Sequence, residues 1–217
     1  MLGCIDITDG MPTHKVWSLT SLTRAIRQLQ KFGCEEVILV GTSSVTFDLP
    51  IIKDVVIYRI EAGKSQDADI QPIISRHDRA LWLRSTHAYD TRIFSELMRS
   101  QENAAYIGTD DRLLAAWIHS SVLNGGHGES DILKSCSVQI RPEDIDPHIL
   151  SLRVYVPAIA ADMRTKEEVR RAEKLFFDAS VKGVMDVLYT YVYVRIVARL
   201  MRIIPLVPLT PNQITVG

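Results

Sequence analysis

The sequence predicts an α/β fold, a mostly parallel sheet with helices on both faces. Two observations predict it. The opening segments read strand, helix, strand, the βαβ unit of a parallel sheet, and the same alternation of short apolar runs with helical repeats continues past residue 100.

Gly3 to Thr8 (GCIDIT) is a short apolar run closed by Asp9-Gly10, a strand leading into a turn. Leu19, Leu22, Ile26 and Leu29 recur at three- and four-residue steps, with Ser18 placed to cap and Gly33 to terminate, so a helix is expected over 18–32. Glu36 to Val40 (EVILV) reads as a buried strand ended by Gly41. Strands at 54–60, 80–83 and 104–107 follow, with helices at 90–100 and 110–122, each opening on an aspartate suited to the positive helix end. A Gly-rich loop over 124–128 breaks the pattern, and two weaker strands are expected near 136–140 and 152–156. There is no internal repeat.

From Thr165 to about Ile204 the chain holds no proline and one glycine, Gly183, which reads as a long helix with a kink near that glycine. Its first part, TKEEVRRAEK, is heavily charged. Residues 187–217 carry no acid, and Arg195, Arg199 and Arg202 fall on one helix face beside Tyr189, Tyr191 and Tyr193. An interfacial membrane helix needs such a pattern to reach anionic lipid phosphates, and a core helix with a solvated basic face shows it too. The expected domains are therefore an α/β unit over 1–163 and a helical, juxtamembrane segment over 164–217.

A formal net charge of −1 and a pI near 6.6 give no basic face for nucleic acid. Cys4, Cys34 and Cys136 are odd in number and widely spaced, against a disulfide framework or zinc knuckle, and the first eight residues lack the layout of an export signal. No run of about 20 apolar residues, the length a spanning helix needs, occurs. His87, His119 and His127 match no zinc spacing, and the serine pairs at 43–44 and 120–121 lack a nucleophile-elbow setting. The 125–128 loop follows no strand directly, so it reads as a connection rather than a phosphate cradle.

The segment from Ala172 to Gly217 resembles the membrane-entry segment of CDP-alcohol phosphatidyltransferases, in which a charged helix runs into a juxtamembrane helix and a TPNQ-T motif. The matching residues are Thr210, Pro211, Asn212, Gln213 and Thr215. Some proteins of that family carry an N-terminal domain similar to sugar-phosphate nucleotidyltransferases. Lys15 to Gly41 resembles that fold's first helix and second strand, and Arg84 to Asp90 (RSTHAYD) its metal-binding string R-G-D-H-x-Y-D. The resemblance implies a site that binds a nucleotide such as CTP with Mg²⁺, and a membrane half holding a D-x-x-D-G-x-x-A-R motif that these residues do not contain. Thr86 stands where the family has its metal-ligating aspartate, and a neutral hydroxyl is a poor Mg²⁺ ligand.

The candidate nucleotide-binding residues are Asp9, Gly10, Lys15 and Asp90; Lys15 is equally a solvated lysine, and Asp90 equally the N-cap of its helix. No metal site and no catalytic residue is assigned. The leading expectation is the cytoplasm-facing N-terminal part of a phospholipid-synthesis protein with weakened nucleotidyltransferase chemistry, ending before the first membrane span. Its alternatives are an active CTP-dependent nucleotidyltransferase making an activated polar alcohol, and a non-catalytic module that docks on an anionic membrane.

Overall fold

The computed structural model describes residues 1–10, 12, 14–17, 19–41, 52–61, 70–125, 128–149, 154–179, 196 and 199. Its main strands are β1 (Leu2–Asp6), β2 (Glu36–Gly41), β3 (Val56–Glu61), β4 (Arg79–Arg84), β5 (Ala104–Ile107), β6 (Leu113–His119) and β7 (Val138–Ile140). The helices are α1 (Ser21–Lys31), α2 (Gln71–Ser75), α3 (Thr91–Leu97), α4 (Val122–Gly125), α5 (Glu129–Ser135) and α6 (Lys166–Asp178). Among the described residues the seven strands form one sheet in the order β3-β2-β1-β4-β6-β5-β7, parallel throughout except for β6, which runs against both its neighbours.

Helices cover both faces, as the βαβ pattern requires. On one face Leu22, Ile26 and Leu29 of α1 and Ile93, Phe94 and Leu97 of α3 pack on Ile5, Leu39, Leu81 and Leu83. On the other, Ile73 and Ile74 of α2, Leu123 of α4 and Ile132 of α5 pack on Cys4, Ile38 and Trp82. Thr20, whose side chain accepts from the Thr23 amide, caps α1 two residues nearer to Gly33 than the expected cap, Ser18. Gly33 closes the helix with φ +91, a left-handed conformation that glycine adopts without steric cost.

The expected helix at 110–122 is instead strand β6, and the reason is burial on both sides. Leu114, Ala115 and Trp117 enter one core while Leu113, Ala116 and Ile118 enter the other, so the segment carries no two-residue alternation. Its leucines and alanines also favour helix intrinsically, a preference that central pairing to β4 and β5 overrides. The Gly-rich segment lies between two short helices, α4, which ends at Gly125, and α5, whose N-cap is Gly128. The strand expected at 152–156 is described at Val154–Tyr155, where it pairs with His148–Ile149 outside the main sheet.

A third core joins α6 to the body: Val169 and Ala172 pack with Val16, Ala88, Ala161 and Met163. Thr165 and Glu168 form a reciprocal capping box at its start. The Arg24 guanidinium lies 5.5 Å from the Trp17 ring and 5.4 Å from the Phe176 ring, and Trp17 N–H donates to Glu173 at 3.1 Å. Beyond Ala179 the expected long helix lies outside the described residues, apart from Ile196 and Arg199, both helical and exposed. No described helix is long and apolar enough to cross a membrane.

Gly41 ends β2 directly against the segment that follows β1. A Cβ there would stand 2.2 Å from Cγ1 of buried Ile7, a β-branched side chain with little room to yield. Gly41→Ala is therefore expected to cost about 1–3 kcal/mol, the usual range for overpacking. Urea unfolding checks it through a lowered midpoint at unchanged slope.

Candidate functional site

The order of the sheet places the site. From β1 the chain builds outward through β2 and β3 on one side, then returns to add β4 on the other, so the crevice lies at the carboxyl ends of β1 and β4. Asp6 and Arg84, the last residues of those strands, are in register with each other. Asp6 is 5% exposed; its Oδ1 accepts from the Thr8 amide at 2.8 Å and the Thr8 hydroxyl at 2.6 Å. Burial raises its carboxyl above the ordinary range, against the pull of the Thr8 hydrogen bonds and Arg84. Gly10 turns the chain at φ +87, donating to the Ile7 carbonyl at 3.1 Å. Ser85 laces the two strand ends together, its amide donating to Asp6 O at 2.8 Å and its hydroxyl to Gly10 O at 3.1 Å.

Arg84 is the centre of a charged network drawn from four parts of the chain. Its Nε donates to Leu113 O at 3.1 Å, and its two Nη groups pair with Asp9 and Glu129. Arg112 approaches the same carboxylates at 3.1 and 3.9 Å. Burial works against the Arg84 charge, but Glu129, Asp9 and Asp6 outweigh it and hold the guanidinium above its ordinary pKa. The Tyr89 hydroxyl accepts from Arg84 N–H at 3.1 Å and donates to the Leu114 carbonyl at 2.6 Å, tying β4 to β6 where the pair ends.

A short antiparallel ribbon, His87–Tyr89 against Ala160–Asp162, brings a second group of side chains to the same rim, with His87 opposite Asp162. His87 Nδ1 shares a hydrogen bond with Thr86 Oγ1 at 3.0 Å, and both residues are buried. Burial pushes the imidazole down to about 4, so it is neutral near pH 7. Asp162 accepts from the Arg164 amide at 2.9 Å and from its Nε at 2.8 Å, with Arg164 Nη2 completing the pair.

Three solved structures share this architecture. A UTP-bound UGPase from Acinetobacter baumannii superposes with a TM-score of 0.53 at 10% identity, over 81% of this chain and 92% of its own. A UDP-glucose pyrophosphorylase from the same organism gives 0.53 at 10%, over 94% and 99%. A putative glucose-1-phosphate thymidylyltransferase from Bacillus anthracis gives 0.52 at 10%, over 86% and 97%. The fold is nucleotidyltransferase-like. No protein-family model matches the chain, and no curated protein matches its sequence.

In this nucleotidyltransferase-like frame a cleft of about 460 Å³ opens beside the crevice, lined by His87, Tyr106, Asp110, Asp162, Arg171 and Leu175 among others. Apolar walls and a few charged groups line it. The residues do not fit the Mg²⁺ that the nucleotidyltransferase resemblance implies. That ion is hard and takes carboxylate and phosphate oxygens in near-octahedral array. Thr86 offers a hydroxyl already engaged with His87, and Asp9, Glu129 and Asp162 each carry an arginine. Among the described residues no group of three or more His, Cys, Asp or Glu is placed to hold a metal ion.

Of the residues singled out in the sequence, Asp9 and Gly10 reach the crevice, Asp9 as the partner of Arg84 and Arg112. Lys15 opens the small hairpin Lys15–Val16 with Leu19–Thr20 and is exposed. Asp90 caps α3: Oδ1 accepts from the Arg92 amide at 2.9 Å, and Oδ2 pairs with the Arg92 guanidinium at 2.7 Å. Arg199 is helical and exposed, while Arg195, Arg202 and the TPNQIT string lie outside the described residues. Sequence reasoning passed over Arg112, Glu129, Asp162 and Arg164, and met Arg84 only as the first residue of the RSTHAYD string, with no role of its own. The available signal was Arg84 itself, an arginine closing an otherwise apolar strand.

Proposed function

We propose that this chain binds a nucleoside triphosphate in the β1–β4 crevice and a phosphorylated polar alcohol in the adjoining cleft, as a nucleotidyltransferase-type domain serving phospholipid synthesis. The observation that carries the reading is the switch-point crevice of a nucleotidyltransferase-like sheet opening into a cleft with Asp110, Asp162, His87 and Arg171 on its walls. In the reaction, a phosphate oxygen of the alcohol phosphate attacks the α-phosphorus, and the bond to the β-phosphate breaks to release pyrophosphate. The lipid assignment rests on the TPNQIT resemblance, with CTP as the favoured nucleotide and a membrane half as consumer of the CDP-alcohol. Calorimetric titration of CTP into the full chain should give saturable one-to-one binding. Flat titrations with CTP, UTP, GTP and ATP alike would remove the reading.

Thr86 favours a second reading, in which the nucleotide is held but transfer is weakened, because the hydroxyl is buried against His87 rather than offered to a ligand. Binding of CTP without pyrophosphate release, across a panel of alcohol phosphates, is its expected signature. Exposed Ile196 and Arg199, three residues apart on one helical face, support docking on an anionic membrane at the cytoplasmic face. Arg195→Glu, Arg199→Glu and Arg202→Glu together should then abolish co-sedimentation with anionic vesicles.

A further inference from the structure

The rim of the crevice presents three carboxylates, Asp9, Glu129 and Asp162, and three guanidinium groups, Arg84, Arg112 and Arg164. Each carboxylate already carries at least one guanidinium. A cation binding at Asp9, Glu129 or Asp162 would have to displace an arginine first; of the remaining carboxylates, Asp6 has its Oδ1 taken by the Thr8 amide and hydroxyl and Asp110 accepts from the Arg112 amide.

The arginines divide into two kinds. Arg84 is 3% exposed, and its Nε, Nη1 and Nη2 are all spent on Leu113, Asp9 and Glu129. It holds the carboxylates in place. Arg112 and Arg164 have side chains 40% and 51% exposed and stand on the rim. Arg112 uses Nη2 on Asp9 and Glu129, and Arg164 uses Nε and Nη2 on Asp162. Among the described residues, Arg112 Nε and Nη1 and Arg164 Nη1 meet no protein acceptor, so each residue turns part of a planar N–H fork toward solvent. Such forks match phosphate oxygens in geometry as well as charge. Asp9 also lies within electrostatic reach of Arg164, which places both arginines in one field.

We infer that this crevice receives nucleotide phosphates on the guanidinium groups of Arg112 and Arg164 and holds no resident divalent cation. The inference rests on the nucleotide reading above and replaces the metal that the fold's relatives imply with fixed protein charge. A triphosphate complexed with Mg²⁺ presents less negative charge to these arginines than a free one, so chelation should leave binding as tight or tighter.

The test uses the full chain and two probes. Mn²⁺ alone, followed by electron paramagnetic resonance of the free ion, should show no saturable site up to millimolar concentration; a stoichiometric micromolar site overturns the inference. CTP titrated in EDTA should bind at least as tightly as CTP with excess Mg²⁺, and Arg112→Ala and Arg164→Ala should each weaken EDTA binding about tenfold, as loss of a charge-assisted hydrogen bond implies. Both substitutions lie on the solvated rim, away from the three cores. Binding that requires Mg²⁺, or that ignores both substitutions, overturns the inference while leaving the nucleotide reading standing. No binding of CTP, UTP, GTP or ATP under either condition removes the nucleotide reading and the inference with it.

Discussion

Arg84→Met is expected to lower stability by about 3 kcal/mol, at the lower end of the range for breaking a buried ion pair, because solvent reaches both partner carboxylates. The substitution roughly conserves the length of the side chain but removes its guanidinium. It leaves the Leu113 carbonyl without its Nε donor and Glu129 dependent on Arg112, whose Nη2 stands 3.9 Å away. Part of the loss is the unmet carbonyl, a group that costs about 1–3 kcal/mol when buried without a partner. For a chain of this size the drop corresponds to roughly 6–12 °C in the melting midpoint. Arg84→Lys keeps the charge but reaches only one of the three acceptors, so it should fall between. Equal melting midpoints for the two variants and the parent would show that the network contributes nothing to the fold.

The second large effect is a dependence on pH through His87. The imidazole, ordinarily near 6.5, is pushed down to about 4, chiefly by burial, with Arg84 and Arg164 reinforcing and Asp162 and Asp110 opposing. The unfolded chain then binds the proton more readily than the folded one. Stability is therefore complete above about pH 6.5, falls as the pH drops toward 4, and loses about 3 kcal/mol across that window. Asp162 is held below its ordinary value of 3.8, its burial outweighed by the bonds from Arg164, so its contribution is lost only at still lower pH. Asp6 is raised and acts with the opposite sign, losing stability as the pH rises above 3.8. The difference in unfolding free energy between the parent and His87→Gln isolates the imidazole. It should shrink by about 3 kcal/mol between pH 6.5 and pH 4, whereas parallel curves would mean that His87 is not held neutral.

The halves of the fold that were legible in the sequence are those whose apolar pattern is local. Leu22, Ile26 and Leu29 mark α1 by spacing, EVILV marks β2, and Gly33 marks the helix end because a positive φ is needed there. β6 was not legible, since a strand buried on both faces loses its alternation and its leucines and alanines point to helix. The site was legible only where it is also local. Asp9 and Gly10 follow β1 directly and can be read from a strand-to-turn pattern. The partners of Asp9 come from positions 84 and 112, and Asp162 meets His87 only because residues 160–162 return to pair with the ribbon after β4. Pairings across 75 and 103 positions leave no mark in a local pattern. Thr86 was legible as a residue, from its place in the RSTHAYD string, but its hydrogen bond to His87 was not.

The claim that the crevice at the ends of β1 and β4 is the nucleotide site is tested most directly by amide hydrogen exchange on the full chain with and without CTP. Slowed exchange at residues 6–10 and 84–87, with smaller changes at 108–113 and 162–164, is the predicted result. Protection that appears elsewhere and leaves these two strand ends unchanged would contradict the account.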